Sequence, residues 1–417
     1  MKLLWFYTIK TYESFNTNAS ASQGIDEVLR NQIIQYAFST PFLMDTILGI
    51  TAQHMKHLGV PVPRSKAITY RINAFAGYRR AIEAAKPETF PALLAASLLL
   101  CAVSTAQFRD DGDGESARPL YILDWIFIWR GIGLIIDLVR PEILYASGMQ
   151  RLFFRPPMDL NTSALHVPSN LLFMVTSIKD GDEDFPYVGV YYDTLKYLGA
   201  LYRELLDGFS GILDLRVITW YTFLPKQFIE LARQRRPRAL VIVAHHLCFA
   251  KCLNGPWWME GIADHEIENL CNLLDSGDES RPPTEWTPVL HVPRAVSRMT
   301  DRTEVARVLL DNHDWKPRIR RGSPEDEERS KEIAWVDDTG KPVAFTGEWV
   351  YKVPARHKPQ FRALEYRVAG ADEEVALRKL TAGAAQEYMD VVGGSPPEDS
   401  GLNSSWASSP TTSGRQD

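Results

Sequence analysis

The chain has 417 residues, 45% hydrophobic and 24% charged, with a net charge of −6. That is length and apolar material for one large folded unit or two medium ones. The acidic balance excludes an overall basic footprint for nucleic acid. The four dispersed cysteines, Cys101, Cys248, Cys252 and Cys271, argue against a disulfide framework and fit a reducing compartment.

In chain order, the pattern reads as helix after helix up to about residue 280. The opening MKLLWFYTIKTYESF is aromatic and helical in pattern. Thr8, Lys10 and Thr11 interrupt its apolar residues and no small-residue cleavage site follows, so it does not read as a signal peptide. Asp26 to Ala37 is a second helix. Pro41 sits where a first helical residue belongs, and the helix it opens runs to Gly59. Arg64 to Ala85 gives an amphipathic helix, and 88–108 is apolar nearly all round, as a central buried helix is. The acidic RDDGDGESARP (109–119) reads as a solvated loop. Trp125 to Leu138 resumes helix. The longer run 120–139 carries Asp124, Arg130 and Asp137, which favours a buried amphipathic helix over a membrane span. The polar stretch 155–170 is a connection. Residues 171–178 and 187–206 are helical, joined by the acidic DGDED (180–184), and 218–237 is helical on both sides of Pro225.

The stretch PRALVIVAHHLCFAKCLNGPWWMEG (237–261) puts two histidines, two cysteines and two tryptophans close together. A zinc site usually needs two converging close pairs. Here there is one Cys-x3-Cys, so Cys248 and Cys252 read as i, i+4 core residues. No nucleophile elbow, HExxH, phosphate loop or paired-carboxylate motif occurs in 1–280, so the residues name no enzyme and no metal ligand. The plain reading is a buried helix started by Pro237 and stopped at Gly255-Pro256, then a tryptophan-rich corner and a last helix, 263–275.

After 280 the composition changes. Residues 281–332 read as a Pro-rich and charged linker. Residues 333–392 read as a small α+β extension, opening on β-hairpin material at 333–353. Residues 393–417 read as a low-complexity, disordered tail.

Several ordered motifs resemble the fungus-specific regulatory (C-terminal effector) domain of zinc binuclear cluster transcription factors, in particular the sterol-uptake-control group. They are the aromatic start LLWFYTIKTYESF (3–15), STPFLMDTILGITAQHMKHLG (39–59) and DWIFIWRGIGLII (124–136). Further along they are Trp220, Pro225 with Phe228, Arg236 to His245, and Trp257 to Gly261. The resemblance covers about 1–280. It implies an all-α, multi-helix regulatory domain with an internal hydrophobic pocket, acting in the nucleus on RNA polymerase II genes. It also implies a sterol or other lipid as ligand, a homodimer or family heterodimer, other transcription regulators as partners, and no enzyme activity. Candidate pocket residues are Phe42, Met44, Leu48, Phe223, Phe228, Leu247, Trp257 and Trp258, with His245 as an orienting polar group. A charge at Gly261 or Leu247 is expected to mimic loss of ligand through steric and desolvation cost. The family's six-cysteine zinc cluster, which reads DNA, has no counterpart in these residues. DNA is a partner only if such a cluster lies upstream; otherwise the chain reads as an interaction module that pairs with full-length relatives.

Overall fold

The structure, a computed structural model, describes residues 2–16, 23–106, 120–138, 147–149, 152, 158–254, 256–275, 284–317, 335–336 and 342–343. Helix α1 (Lys2–Ile9) leads into a 3-10 turn, Thr11–Phe15. Helix α2 (Gln23–Glu27) continues through a π segment, Val28–Gln32, into α3 (Ile33–Ser39). Helix α4 (Pro41–His57) starts as its sequence requires, with Thr40 extended and Pro41 at the first turn, where the missing N–H costs nothing. It stops at Gly59, whose φ of +72 lets Val60 N–H reach back to the Met55 carbonyl.

Helix α5 (Arg64–Ala84) lies against α4, and Gly77 is the point of close approach. A Cβ built there would meet the Cβ of Phe42 at 2.7 Å. Helix α6 (Phe90–Ser104) is buried along almost its whole length and packs against α4 on one side and α7 (Tyr121–Leu138) on another. Among the described residues, Pro87–Ser104 is long and apolar enough to cross a membrane, but most of it is buried in the body, as the central helix of a helical core is.

The second half is built around α10 (Val188–Asp207) and α13 (Pro237–Ala250). Short α8 (Leu160–Ser163) and α9 (Ser169–Thr176) pack on α10. Helix α11 (Gly211–Thr219), capped by the Ser210 hydroxyl accepting from Leu213 N–H, continues as a 3-10 turn, Trp220–Phe223. Helix α12 (Lys226–Arg233) follows Pro225. Helix α14 (Ile262–Leu274) packs on α13 after a 3-10 corner at Trp257–Met259. The acidic loop 180–184 is fastened to the start of α13. Arg238 bridges Asp182 (2.9 Å) and buried Asp184 (2.8 Å), and Arg236 pairs with Glu183.

The helical body extends past residue 280. Within the stretch that composition reads as linker, α15 (Thr287–Ser297) and α16 (Arg302–Leu309) bury Leu290, Val296, Val305 and Leu309. Val289, Leu290, Pro293 and Val296 lie at helical spacing, and this apolar stripe outweighs the prolines. Pro288 sits in the first turn, where a proline is tolerated. Among the described residues the only strands are Trp335–Val336 and Pro342–Val343, paired antiparallel. The rest of 333–353, the loop 109–119, the remainder of 333–392 and the tail 393–417 lie outside the described residues.

Candidate functional site

The two histidines of α13 sit side by side and do different work. Both are about 1% exposed. The His246 ring stacks on Trp220, centroids 4.2 Å apart and planes 10° from parallel. Its Nε2 lies 3.0 Å from the Val217 carbonyl, which can only accept, so Nε2 carries the hydrogen. Nδ1 is then bare and accepts the Tyr221 hydroxyl at 2.8 Å. Burial pushes the His246 imidazole down to about 3, so the ring is neutral. Trp125 meets Tyr221 edge-on and Trp129 in the same way, while Phe228 meets both Trp220 and Tyr191. This is the aromatic centre of the body, joining α7, the Trp220–Phe223 turn, α12 and α13.

His245 points the other way. Its Nε2 donates to the Val289 carbonyl of α15 at 2.7 Å, which fixes the tautomer. Burial pushes it down to about 4. Its Nδ1 is therefore a buried acceptor with no hydrogen-bond partner among the described residues.

The Trp257-Trp258 corner closes a different part of the molecule. The Trp257 ring stacks on His54 of α4 at 4.6 Å, and His57 lies 5.4 Å away. Trp258 stacks on Phe15, and its indole N–H donates to the Ser14 carbonyl at 3.3 Å. His54 reaches Thr11 Oγ1 at 3.0 Å. The corner thus clasps the Thr11–Phe15 turn to the end of α4.

The sequence-derived candidates fall into two groups. Phe42 is buried and meets Tyr78 of α5, while Met44 and Leu48 are half-buried on α4, Met44 packed against the core. Trp257 and Trp258 belong with this helix. Phe228, His245 and Leu247 are buried around α13, and half-buried Phe223 stacks on Tyr197 of α10. Helices α6 and α7 lie along the path from the first group to the second. His54, His246, Tyr221 and Trp220 escaped the candidate set, although the AHH pair and the ITWY start were both visible. What marks them is a ring contact across 25 or more positions of chain, which no local pattern shows.

The cysteines fit the core reading: Cys101, Cys248, Cys252 and Cys271 are all buried free thiols, and burial raises each of them above the usual thiol range. Such thiols are poor nucleophiles and poor ligands. Among the described residues no group of three or more His, Cys, Asp or Glu side chains is placed to hold a metal ion.

Comparison with known proteins agrees in direction. No protein-family model matches the chain. A Zn(2)-C6 fungal-type transcription factor of Gibberella zeae is 23% identical over 305 residues, 69% of this chain and 60% of that protein. Sterol uptake control protein 2 of Saccharomyces cerevisiae is 27% identical over 279 residues, 63% of this chain and 29% of that protein. The Candida albicans protein of the same name is 24% identical over 286 residues, covering 63% and 38%. The chain therefore spans less than two thirds of the length of each relative. At this low identity, the relatives support a helical domain related to those of fungal transcription factors.

Proposed function

We propose that this chain is the regulatory part of a fungal transcription factor, acting in the nucleus on RNA polymerase II genes, and that its helical body binds a sterol or another rigid hydrophobic molecule. The observation that carries this reading is the similarity to two sterol uptake control proteins over 63% of the chain. The side chains are compatible with it. A sterol site needs apolar walls and one or two polar groups to hold a hydroxyl. Phe42, Met44, Leu48, Phe223, Phe228, Leu247, Trp257 and Trp258 are the apolar side chains that would form those walls, and Phe42, Phe228, Leu247, Trp257 and Trp258 are buried in the core. The bare Nδ1 of His245 is a fixed acceptor for a hydroxyl hydrogen.

The decisive experiment is a thermal melt of the purified chain with and without ergosterol or cholesterol. A ligand that binds only the folded chain, at one hundred times its Kd, adds about 2.7 kcal/mol. A rise in Tm of several degrees is expected; no rise with either sterol at saturation overturns the ligand half of the proposal.

A second reading, a protein-interaction module that dimerises or pairs with full-length relatives, draws on one observation. Leu165 and Phe173 are 82% and 70% exposed on the surface of the second half. If mass measurement in solution shows a dimer that Phe173→Asp turns into a monomer, that reading gains; a monomer throughout removes its self-pairing form.

A further inference from the structure

Glu266 on α14 is a carboxyl group at 1% exposure, and among the described residues its hydrogen-bond donor is the backbone N–H of Ile122 at 3.1 Å, 144 positions away in sequence. Ile122 is the second residue of α7, so this N–H is one of the four that a helix cannot satisfy for itself. A glutamate from a distant helix therefore caps α7. A buried carboxylate normally brings a cation with it, because one unpaired charge in a core costs more than a single hydrogen bond returns.

Among the described residues, the surroundings supply none. From α7 the charge that acts on Glu266 is Asp124, a like charge, and its own opposite charge is Arg233 of α12. From the turn after α11 comes the neutral phenol of Tyr221, whose hydroxyl is given to His246. On α13, His245 and His246 are neutral, and Lys251 is occupied by Asp264 and the Ser297 carbonyl. On α15, Arg294 is held by Asp275 and the Cys271 carbonyl. Among the described residues, no Lys or Arg pairs with Glu266.

We infer that Glu266 is a proton-holding joint between α14 and α7. Protonated, it still accepts from Ile122 and the core stays closed; ionised, its uncompensated charge draws water in and loosens the first turn of α7. The body then carries a pH response in the neutral range, set at the helix that follows the tryptophan corner. Burial, against the lowering effect of the Ile122 bond, raises this carboxyl to about 7, which puts the response near neutrality. The sign follows from linkage. A carboxyl raised in the folded state stabilises fully below its unfolded value and loses that contribution as pH rises through about 7.

The test is hydrogen exchange of the full chain at pH 6 and pH 8, corrected for the intrinsic pH dependence of exchange, read at residues 121–125 and at α13 as reference. In the wild-type chain, opening at 121–125 should grow about tenfold between these pH values relative to α13, the ratio that one proton released on opening gives. Glu266→Gln keeps an oxygen for Ile122 and cannot ionise, so its ratio should stay flat. Asp124→Asn should keep the wild-type rise. A flat wild-type response, or the same rise in Glu266→Gln, overturns the inference. If Glu266→Gln does not fold, the wild type and Asp124→Asn decide. A rise confined to 121–125 in both supports the joint, and a rise shared with α13 or abolished by Asp124→Asn overturns it.

Discussion

Among the described residues, two histidine rings stack face to face on tryptophans, and the two stacks are not equivalent. His246 on Trp220 and His54 on Trp257 have nearly the same geometry, at 4.2 and 4.6 Å with planes 10° and 4° from parallel. The first lies in the centre, where both ring nitrogens are satisfied and the Trp220 and Tyr221 rings lie against the imidazole. The second lies at the rim, beside His57, Thr11 and the exposed Glu260. One arrangement therefore does two jobs. In the centre it fixes the register of α13 against the turn after α11; at the rim it fastens the Thr11–Phe15 turn to α4.

The largest break in the comparison should come at the centre. Trp220→Ala removes a fully enclosed ring and leaves His246, Tyr221 and Phe228 facing a void. Such truncations cost about 3–5 kcal/mol. Urea unfolding should show the loss across the whole body, with one cooperative transition at lower denaturant. A loss under 1 kcal/mol would mean that the centre collapses onto the gap and the stack is not what holds α13. Trp257→Ala should cost less, about 2–3 kcal/mol, because rim groups relax and water can replace part of what is lost. Its signature is local. Hydrogen exchange should rise at residues 11–16 and at the end of α4 while the centre stays protected. Exchange rising equally everywhere would erase the distinction between the two stacks.

The stacks also differ in how far a sequence shows them. Most helices from α4 to α14 follow from apolar periodicity, Pro at first turns and Gly or αL ends, but α8 (Leu160–Ser163) lies inside 155–170, whose polar composition reads as a connection, and α11 (Gly211–Thr219) lies mostly ahead of 218, where the periodicity reads as starting a helix. Pro41, Gly59 and Pro237 mark boundaries that the backbone respects. Helices α15 and α16 were hidden because Pro288 and Pro293 gave 281–332 the composition of a linker, while their stripe is apolar only when read at helical spacing. The site was less legible still. Phe42 and Leu247 are core residues as their type foretells, yet which rings meet is decided by chain crossing. His54 and Trp257 are some 200 positions apart, and so are not joined by any motif. Glu266 shows the same limit. It reads as one polar position of an amphipathic helix, and only the arrival of the α7 terminus makes it a buried acid.

Acid should act through both stacks. Burial lowers His246 to about 3 and His54 to about 4, the latter helped by the charges of His57 and Lys10. A lowered histidine contributes stability that is present above its unfolded value of about 6.5 and lost as pH falls toward the folded one. Between pH 7 and 5 these groups reduce stability as pH falls, while Glu266 works in the opposite direction. His54→Phe keeps a ring on Trp257 and cannot take a proton, so it should lose less stability than the wild type between pH 7 and 5. Equal losses by urea unfolding would show that His54 is not held neutral, and the acid response would then belong to the centre alone.

The smallest effect separates shape from backbone at the rim. Gly261 closes the tryptophan corner with φ +78, and a Cβ built on it meets nothing within 4 Å. The expected steric and desolvation cost of a charged side chain there has no neighbour to act on, since the position opens to solvent. What remains is the left-handed backbone, which a residue with a Cβ occupies at a cost of about 1 kcal/mol. Gly261→Ala and Gly261→Asp should therefore destabilise the chain by similar, small amounts in urea unfolding. If Asp costs much more than Ala, the side chain meets something that the described residues do not supply, such as a bound partner at the corner. If both cost nothing, the corner tolerates another backbone geometry, and the rim stack of Trp257 on His54 holds the Thr11–Phe15 turn without it.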